Sequence, residues 1–193
     1  EIVDKAYVYE FGMPMGPFEL MDAVGIDVCM KVLKIFQKAF GERIQMPPAF
    51  EKLAHTSRLG QKNKNGFYLY DEKGKRGQVD KKIYSDLALP EPTNPLPVSE
   101  CIERGVMAMI NECARALYDD KIVTNAGEVD LAMIMGTGFP PFRGGLLAYA
   151  DTLGAEFILG RVTEYHKRFG VRWTPAEALQ KMAADKKRFY VIG

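Results

Sequence analysis

Two histidines, two turns rich in glycine and proline, and one cationic loop are the places in this 193-residue chain where chemistry could reside. His55 and His166 share neither a motif nor an equivalent position, and each lies beside basic residues on a segment with helical patterning. Both read as surface side chains rather than as general bases. The sequence holds no HExxH zinc motif, no nucleophile elbow and no phosphate-binding Walker loop. Gly136-Thr137-Gly138 lacks the preceding strand and the third glycine that would let a helix start face a pyrophosphate, so it is expected to stop a helix rather than to hold a dinucleotide.

Phe11-Gly12-Met13-Pro14-Met15-Gly16-Pro17-Phe18-Glu19-Leu20 and Gly138-Phe139-Pro140-Pro141-Phe142-Arg143-Gly144-Gly145 each combine proline-fixed backbone with methionine or aromatic side chains. Such a turn makes a stiff wall with adaptable apolar knobs, suited to the end of an acyl tunnel; it also suits a tight corner between core helices. The loop Arg58 to Tyr68 carries Arg58, Lys62 and Lys64. Its cations could draw phosphate, while its Gly and Asn residues fit an ordinary exposed turn.

The elements that must position these residues occur twice. Asp4, Gly12, Pro14, Asp22, Gly25 and Phe40-Gly41 return as Asp130, Gly138, Pro140, Asp151, Gly154 and Phe169-Gly170. Gly66-Phe67-Tyr68 closes the first copy and Phe189-Tyr190 the second. The offset is 126 residues at Asp4 and Pro14 and 129 at Asp22 and Phe40, so the second copy holds a three-residue insertion. A repeat of this kind implies duplicated domains.

Ile102, Val106, Met109, Ile110, Cys113 and Leu117 recur at helical spacing and predict a helix over 99–119 with Ser99 as its cap. Val28, Val32, Ile35, Phe36, Ala39 and Phe40 predict the same after Asp27, with a buried face and Gly41 as the stop. The matching helix in the second copy runs from 155 to Phe169, with Phe157, Ile158, Val162, Tyr165 and Phe169 inward. Thr174-Pro175-Ala176-Glu177 predicts a capping box. Phe67 to Tyr70 is a short extended piece or a tail across a helix. Residues 73–97, with Pro90, Pro92, Pro95 and Pro97, are expected to form a connector with one helical turn near Lys82 to Leu87. The helix over 99–119 has no counterpart ahead of Asp4, and the sequence opens at Glu1; the chain is expected to be the C-terminal part of a longer protein.

Composition narrows the classes. The 26 basic and 25 acidic side chains nearly cancel, which argues against a nucleic-acid or anionic-membrane binder. No apolar run reaches the roughly 20 residues of a membrane span. Cys29, Cys101 and Cys113 show no paired spacing and are expected as packed thiols in a reducing compartment.

Met13-Pro14-Met15-Gly16-Pro17-Phe18-Glu19-Leu20 with Asp22 and Gly25, then Leu59-Gly60-Gln61-Lys62 and Asn65-Gly66-Phe67-Tyr68, closely resembles the C-terminal domain of L-3-hydroxyacyl-CoA dehydrogenases. The second copy resembles the further such domain that ends the alpha subunit of the multifunctional fatty acid oxidation complex. The resemblance implies an all-α fold of two tandem helical domains, 1–72 and 98–193, joined by 73–97 and packed as a pseudo-dimer. It implies a parent enzyme of fatty acid beta-oxidation that uses NAD, with enoyl-CoA hydratase upstream. The Rossmann domain and the catalytic histidine-glutamate pair would then lie before Glu1, leaving no catalytic residue, cofactor or metal on this chain. By similarity Pro14, Met15, Gly16, Pro17, Phe18 and Leu20 would face the acyl chain of an acyl-CoA. Asn111 would be structural. The implied partners are the Rossmann domain, a thiolase subunit and another copy of the protein; the implied location is the bacterial cytoplasm, with the mitochondrial matrix or peroxisome as alternatives. The rival reading is a stand-alone helical protein-interaction module.

Overall fold

The computed structural model describes residues 1–94 and 96–190. Pro95 of the expected connector and residues 191–193 of the expected second domain lie outside the described residues.

Two compact units emerge. Unit 1 holds Glu1–Glu10 and Met15–Val98; unit 2 holds Phe11–Pro14 and the chain from Ser99 onward. In unit 1, α1 (Ile2–Lys5) passes into a π-helical turn from Ala6, followed by α2 (Pro17–Val24), α3 (Ile26–Phe40) and α4 (Pro48–Leu53). Strands β1 (Tyr68–Tyr70) and β2 (Arg76–Val79) then pair antiparallel, Tyr68 with Val79 and Tyr70 with Arg76, and α5 (Lys82–Asp86) follows. The core gathers Ile26, Met30, Leu53, Phe67, Tyr68, Tyr70, Ile83 and Leu87.

Residues 73–97, read from sequence as a connector, supply β2 and α5 to this unit. The reason is Arg58, 3% exposed, whose guanidinium meets Asp80 at 2.8 Å and Asp86 at 2.7 Å while donating to the Gly66 carbonyl at 2.6 Å. A buried cation needs paired charge, and here both carboxylates come from the supposed connector.

α3 forms where expected but does not bury the expected face. Ile26 and Met30 enter the core, whereas Val32, Ile35, Phe36 and Phe40 are exposed by 39 to 64%.

Unit 2 is built from α6 (Val98–Ala114) with a π-helical turn through Asp119, α7 (Ala126–Thr137), α8 (Leu146–Leu153), α9 (Ala155–Phe169) and α10 (Glu177–Asp185). Ile110, Ala114, Phe139, Leu146, Leu147, Ile158, Val162, Tyr165, Trp173 and Leu179 form its core. On α9, Ile158, Val162 and Tyr165 are buried as expected, while Phe157 and Phe169 are partly exposed.

Two caps differ from expectation. α6 begins at Val98, placing Ser99 inside its first turn. Thr174 does not cap α10: its hydroxyl donates to the Val171 carbonyl, and the amides of Glu177 and Ala178 are taken by the Asp119 carboxylate at 3.1 and 3.2 Å. Local sequence suggested a capping box, but a carboxylate 58 residues away reaches the orphan amides first. α7 is capped locally, by Asn125 accepting from the Glu128 amide at 3.0 Å and Glu128 accepting from the Thr124 amide at 2.8 Å.

Candidate functional site: two aspartate-held turns

The repeated landmarks have a shared physical use. Pro17 occupies the first position of α2, where no donor is needed, and Gly16 before it has no side chain to cap the helix. Asp4, 2% exposed, does so instead: its carboxylate accepts from the Phe18 amide at 2.8 Å, the Glu19 amide at 3.0 Å and the Tyr68 hydroxyl at 2.7 Å. A Cβ on Gly16 would lie 2.3 Å from that of Asp4, so only glycine lets the carboxylate come so close.

Asp22, fully buried, accepts from the Phe67 and Tyr68 amides at 2.9 Å each and the Tyr70 hydroxyl at 3.0 Å. Its burial raises its pKa, and the two amides and the tyrosine hydroxyl oppose that rise. Burial also raises the Tyr68 and Tyr70 hydroxyls, aided by the carboxylates they touch.

Unit 2 repeats the arrangement. Asp130 accepts from the Leu147 and Ala148 amides at 2.6 and 3.0 Å and from the Tyr190 hydroxyl at 2.7 Å, with Gly145 packed against it. Asp151 accepts from the Phe189 and Tyr190 amides at 2.8 and 2.9 Å. Burial and the Asp130 carboxylate push the Tyr190 hydroxyl up to about 12.

The six expected acyl-facing residues are divided between the two units, Pro14 in unit 2 and the other five in unit 1. Phe11–Pro14 packs in unit 2: the Phe11 ring is 5.5 Å from that of Phe139, under the Arg143 guanidinium at 4.3 Å, and Arg143 Nε donates to the Phe11 carbonyl at 3.1 Å. Arg143 belongs to the insertion that distinguishes the second copy, and nothing in its local sequence marks it as a clamp. Pro14 is exposed, with its ring against Gly138. In unit 1, Met15 is half-buried, Gly16 buried and Pro17 exposed. Phe18 turns inward onto Phe67, ring centres 4.7 Å apart, and lines an apolar cavity of about 210 Å³ with Phe50, Tyr84, Leu87 and Leu89. Leu20, two residues on and so about 200° around the helix, is half exposed on another face.

The cationic loop resolves as a turn. Lys62 meets Asp27 at 2.6 Å, Lys64 pairs with Glu72, and Arg58 is committed to Asp80 and Asp86. His166 bonds the Gly170 carbonyl at the end of α9, and His55 is exposed. Gly138, at φ 71°, ends α7, as a helix stop does. Asn111, buried, donates to the Thr174 carbonyl at 3.1 Å and accepts from the Ala176 amide at 2.9 Å, a structural use. Among the described residues no cluster of His, Cys, Asp and Glu could hold a metal ion, and no helix is long and apolar enough to cross a membrane.

Comparison with known proteins agrees with this geometry. Residues 1–70 match the family described as 3-hydroxyacyl-CoA dehydrogenase, C-terminal domain. Over 189 residues the chain is 44% identical to the fatty acid oxidation complex subunit alpha of Shewanella amazonensis, covering 97% of this chain and 26% of that protein. The corresponding subunit of Shewanella halifaxensis is 43% identical over 190 residues, covering 98% and 26%. The chain thus spans about a quarter of the length of these relatives. In fold it is similar to a crystal structure of 3-hydroxybutyryl-CoA dehydrogenase from Escherichia coli, with TM-score 0.70 and 22% identity over 96% of this chain and 54% of that one. It is also similar to the dehydrogenase part of multifunctional enzyme 1 from C. elegans, with TM-score 0.65 and 22% identity over 93% and 41%. Residues 1–70 thus match the 3-hydroxyacyl-CoA dehydrogenase C-terminal domain family, and nearly the whole length of the chain is similar to a part of fatty acid oxidation complex alpha subunits.

Proposed function

We propose that this chain is the C-terminal part of an NAD-dependent L-3-hydroxyacyl-CoA dehydrogenase of fatty acid beta-oxidation, in a parent that also carries enoyl-CoA hydratase. The observation that carries this reading is 44% identity, over nearly all of the chain, to a fatty acid oxidation complex alpha subunit. The chain supplies apolar surface for the acyl group, from Pro14, Met15, Gly16, Pro17, Phe18 and Leu20. The parent assembles with a thiolase subunit in the bacterial cytoplasm, as a homo-oligomer of that pair.

The described residues do not fit NAD. The sheet they form is a two-stranded antiparallel pair, and Gly136-Thr137-Gly138 ends a helix instead of opening one toward a pyrophosphate. The redox step therefore belongs to the rest of the parent, and the purified chain should not oxidise NADH with acetoacetyl-CoA. Turnover by the chain alone would overturn this division of labour.

In the whole parent, Leu20→Ser changes an exposed apolar side chain without touching a core. It is expected to raise KM several-fold for long-chain 3-hydroxyacyl-CoA while leaving kcat for acetoacetyl-CoA unchanged, because lost uniform binding appears in KM. Identical kinetics for both substrates in Leu20→Ser and in Met15→Ser would remove these residues from the acyl site.

A further inference from the structure

Unit 2 holds a cleft that the enzymatic reading does not use. It lies between α10, the π-helical turn after α6 and the residues that follow α10, and has a volume of about 300 Å³. Ala178, Lys181, Met182 and Asp185, spaced as one face of a helix, set α10 along it. Tyr118 forms another wall. This tyrosine is 42% exposed, and Phe189 backs its ring, with centres 6.2 Å apart and planes 19° from parallel. A ring held from behind offers a flat and fixed stacking face.

Charge in the cleft is unbalanced once existing partners are counted. Asp119 already accepts from the Glu177 and Ala178 amides, and Asp185 already meets Lys187 at 2.9 Å. Lys181 is paired only with Glu177, at 3.6 Å and with both side chains in water, a contact of little strength. Arg188 has no ion pair among the described residues. Two cations thus face a cleft whose carboxylates are occupied.

The repeat shows that the arginine is particular to unit 2. Asp22 binds the amides of Phe67 and Tyr68, and Asp151 binds those of Phe189 and Tyr190, so Arg188 stands where unit 1 has Gly66. A Cβ on Gly66 would collide with the Asp22 carboxylate, whereas unit 2 admits a full cationic side chain at the same place.

We propose that this cleft binds a nucleoside phosphate, with the base on the open face of Tyr118 beside Met182 and the phosphate on Arg188 and Lys181. An aromatic platform next to guanidinium and ammonium groups suits a ligand that is flat at one end and anionic at the other. The start of α10 is not the phosphate site, because Asp119 already takes its amides. The site stands apart from the enzymatic reading and lacks the strand and glycine-opened helix of a dinucleotide fold.

Calorimetric titration of the whole chain with ADP and with inorganic pyrophosphate, at low salt, tests both halves of the site. ADP is expected to bind about tenfold more tightly than pyrophosphate, because stacking adds to charge. Tyr118→Ala should weaken ADP about tenfold and leave pyrophosphate unchanged, while Tyr118→Phe keeps ADP binding. Arg188→Gln should weaken both ligands about fivefold. That substitution alters an exposed side chain outside the core, so its melting temperature should match wild type, and it decides the matter even if Tyr118→Ala melts early. The proposal is overturned by the absence of ADP binding, or by an Arg188→Gln chain that holds ADP as well as wild type. It is also overturned if ADP binds no more tightly than pyrophosphate, which would leave only a patch of charge.

Discussion

A carboxylate that accepts two consecutive backbone amides and a tyrosine hydroxyl is the recurring device of this chain, and Asp22 is its most buried example. Because burial raises its pKa in the native state, the folded chain binds a proton there that the unfolded chain has already released. The contribution of Asp22 to stability therefore falls as pH rises from 3.8, the unfolded value, to the raised native value, and is level above it. Asp22→Asn removes that dependence and turns an amide group toward one of the donors Asp22 now satisfies. We expect a loss of about 1–3 kcal/mol at neutral pH, and the gap to wild type widens on acidification, as wild type alone regains stability. Urea denaturation from about pH 4 to about pH 7 checks the sign, and a gap that narrows on acidification would contradict it. Glycine positions differ by mechanism. Gly16→Ala would thrust Cβ to within 2.4 Å of the Asp4 backbone and should cost about 1–3 kcal/mol. Gly41→Ala meets nothing within 4 Å among the described residues but holds φ at 57°, so its cost should be backbone strain alone, about 1–2 kcal/mol. Asp4→Ala keeps the Cα and Cβ that the added methyl would meet, so it should not relieve the Gly16→Ala cost in a double mutant, as differential scanning calorimetry can show.

The helices were legible in the sequence because their apolar residues recur every three or four positions, and the duplication was legible because Asp4, Asp22 and their glycines return in order. What each landmark does was not, since the Asp4–Phe18, Asp22–Phe67 and Arg58–Asp86 bonds join residues 14 to 45 positions apart and leave no local pattern. The same reason explains the capping box that did not form. Thr174 and Glu177 stand at the right spacing, yet α10 takes its cap from Asp119, which the π-helical turn after α6 carries to the helix start. The segment expected to face the acyl chain was legible as a composition, but the direction of each side chain was not, because only packing shows that Phe18 turns in while Leu20 turns out. For the caps the consequence is measurable: Asp119→Ala should destabilise unit 2 by about 0.5–2 kcal/mol, and Thr174→Ala by less than about 0.5 kcal/mol. The reverse order, read from chemical denaturation of the two variants, would restore the local cap.

At the scale of the whole molecule each unit has its own core, and the two cores are unequal. Unit 2 buries Ile158, Val162 and Tyr165 of α9 completely, whereas the corresponding helix of unit 1 leaves Val32, Ile35, Phe36 and Phe40 in water. Each such side chain forgoes part of the roughly 1.5–3 kcal/mol that full burial contributes, so unit 1 should be the weaker of the two. The chain contains a single tryptophan, Trp173, and it sits in the core of unit 2, 4.8 Å from the Tyr165 ring. Tryptophan fluorescence therefore reports unit 2, while far-ultraviolet circular dichroism sums the helices of both. In a urea titration the dichroism should begin to fall at lower denaturant than the fluorescence shift, with the first loss of signal arising from α2 and α3. Ile35→Glu should leave both curves in place, because that side chain gains no burial to lose. Coincident curves in the unfused chain would mean that the two units unfold as one cooperative body, and the inequality of their cores would then have no consequence for stability.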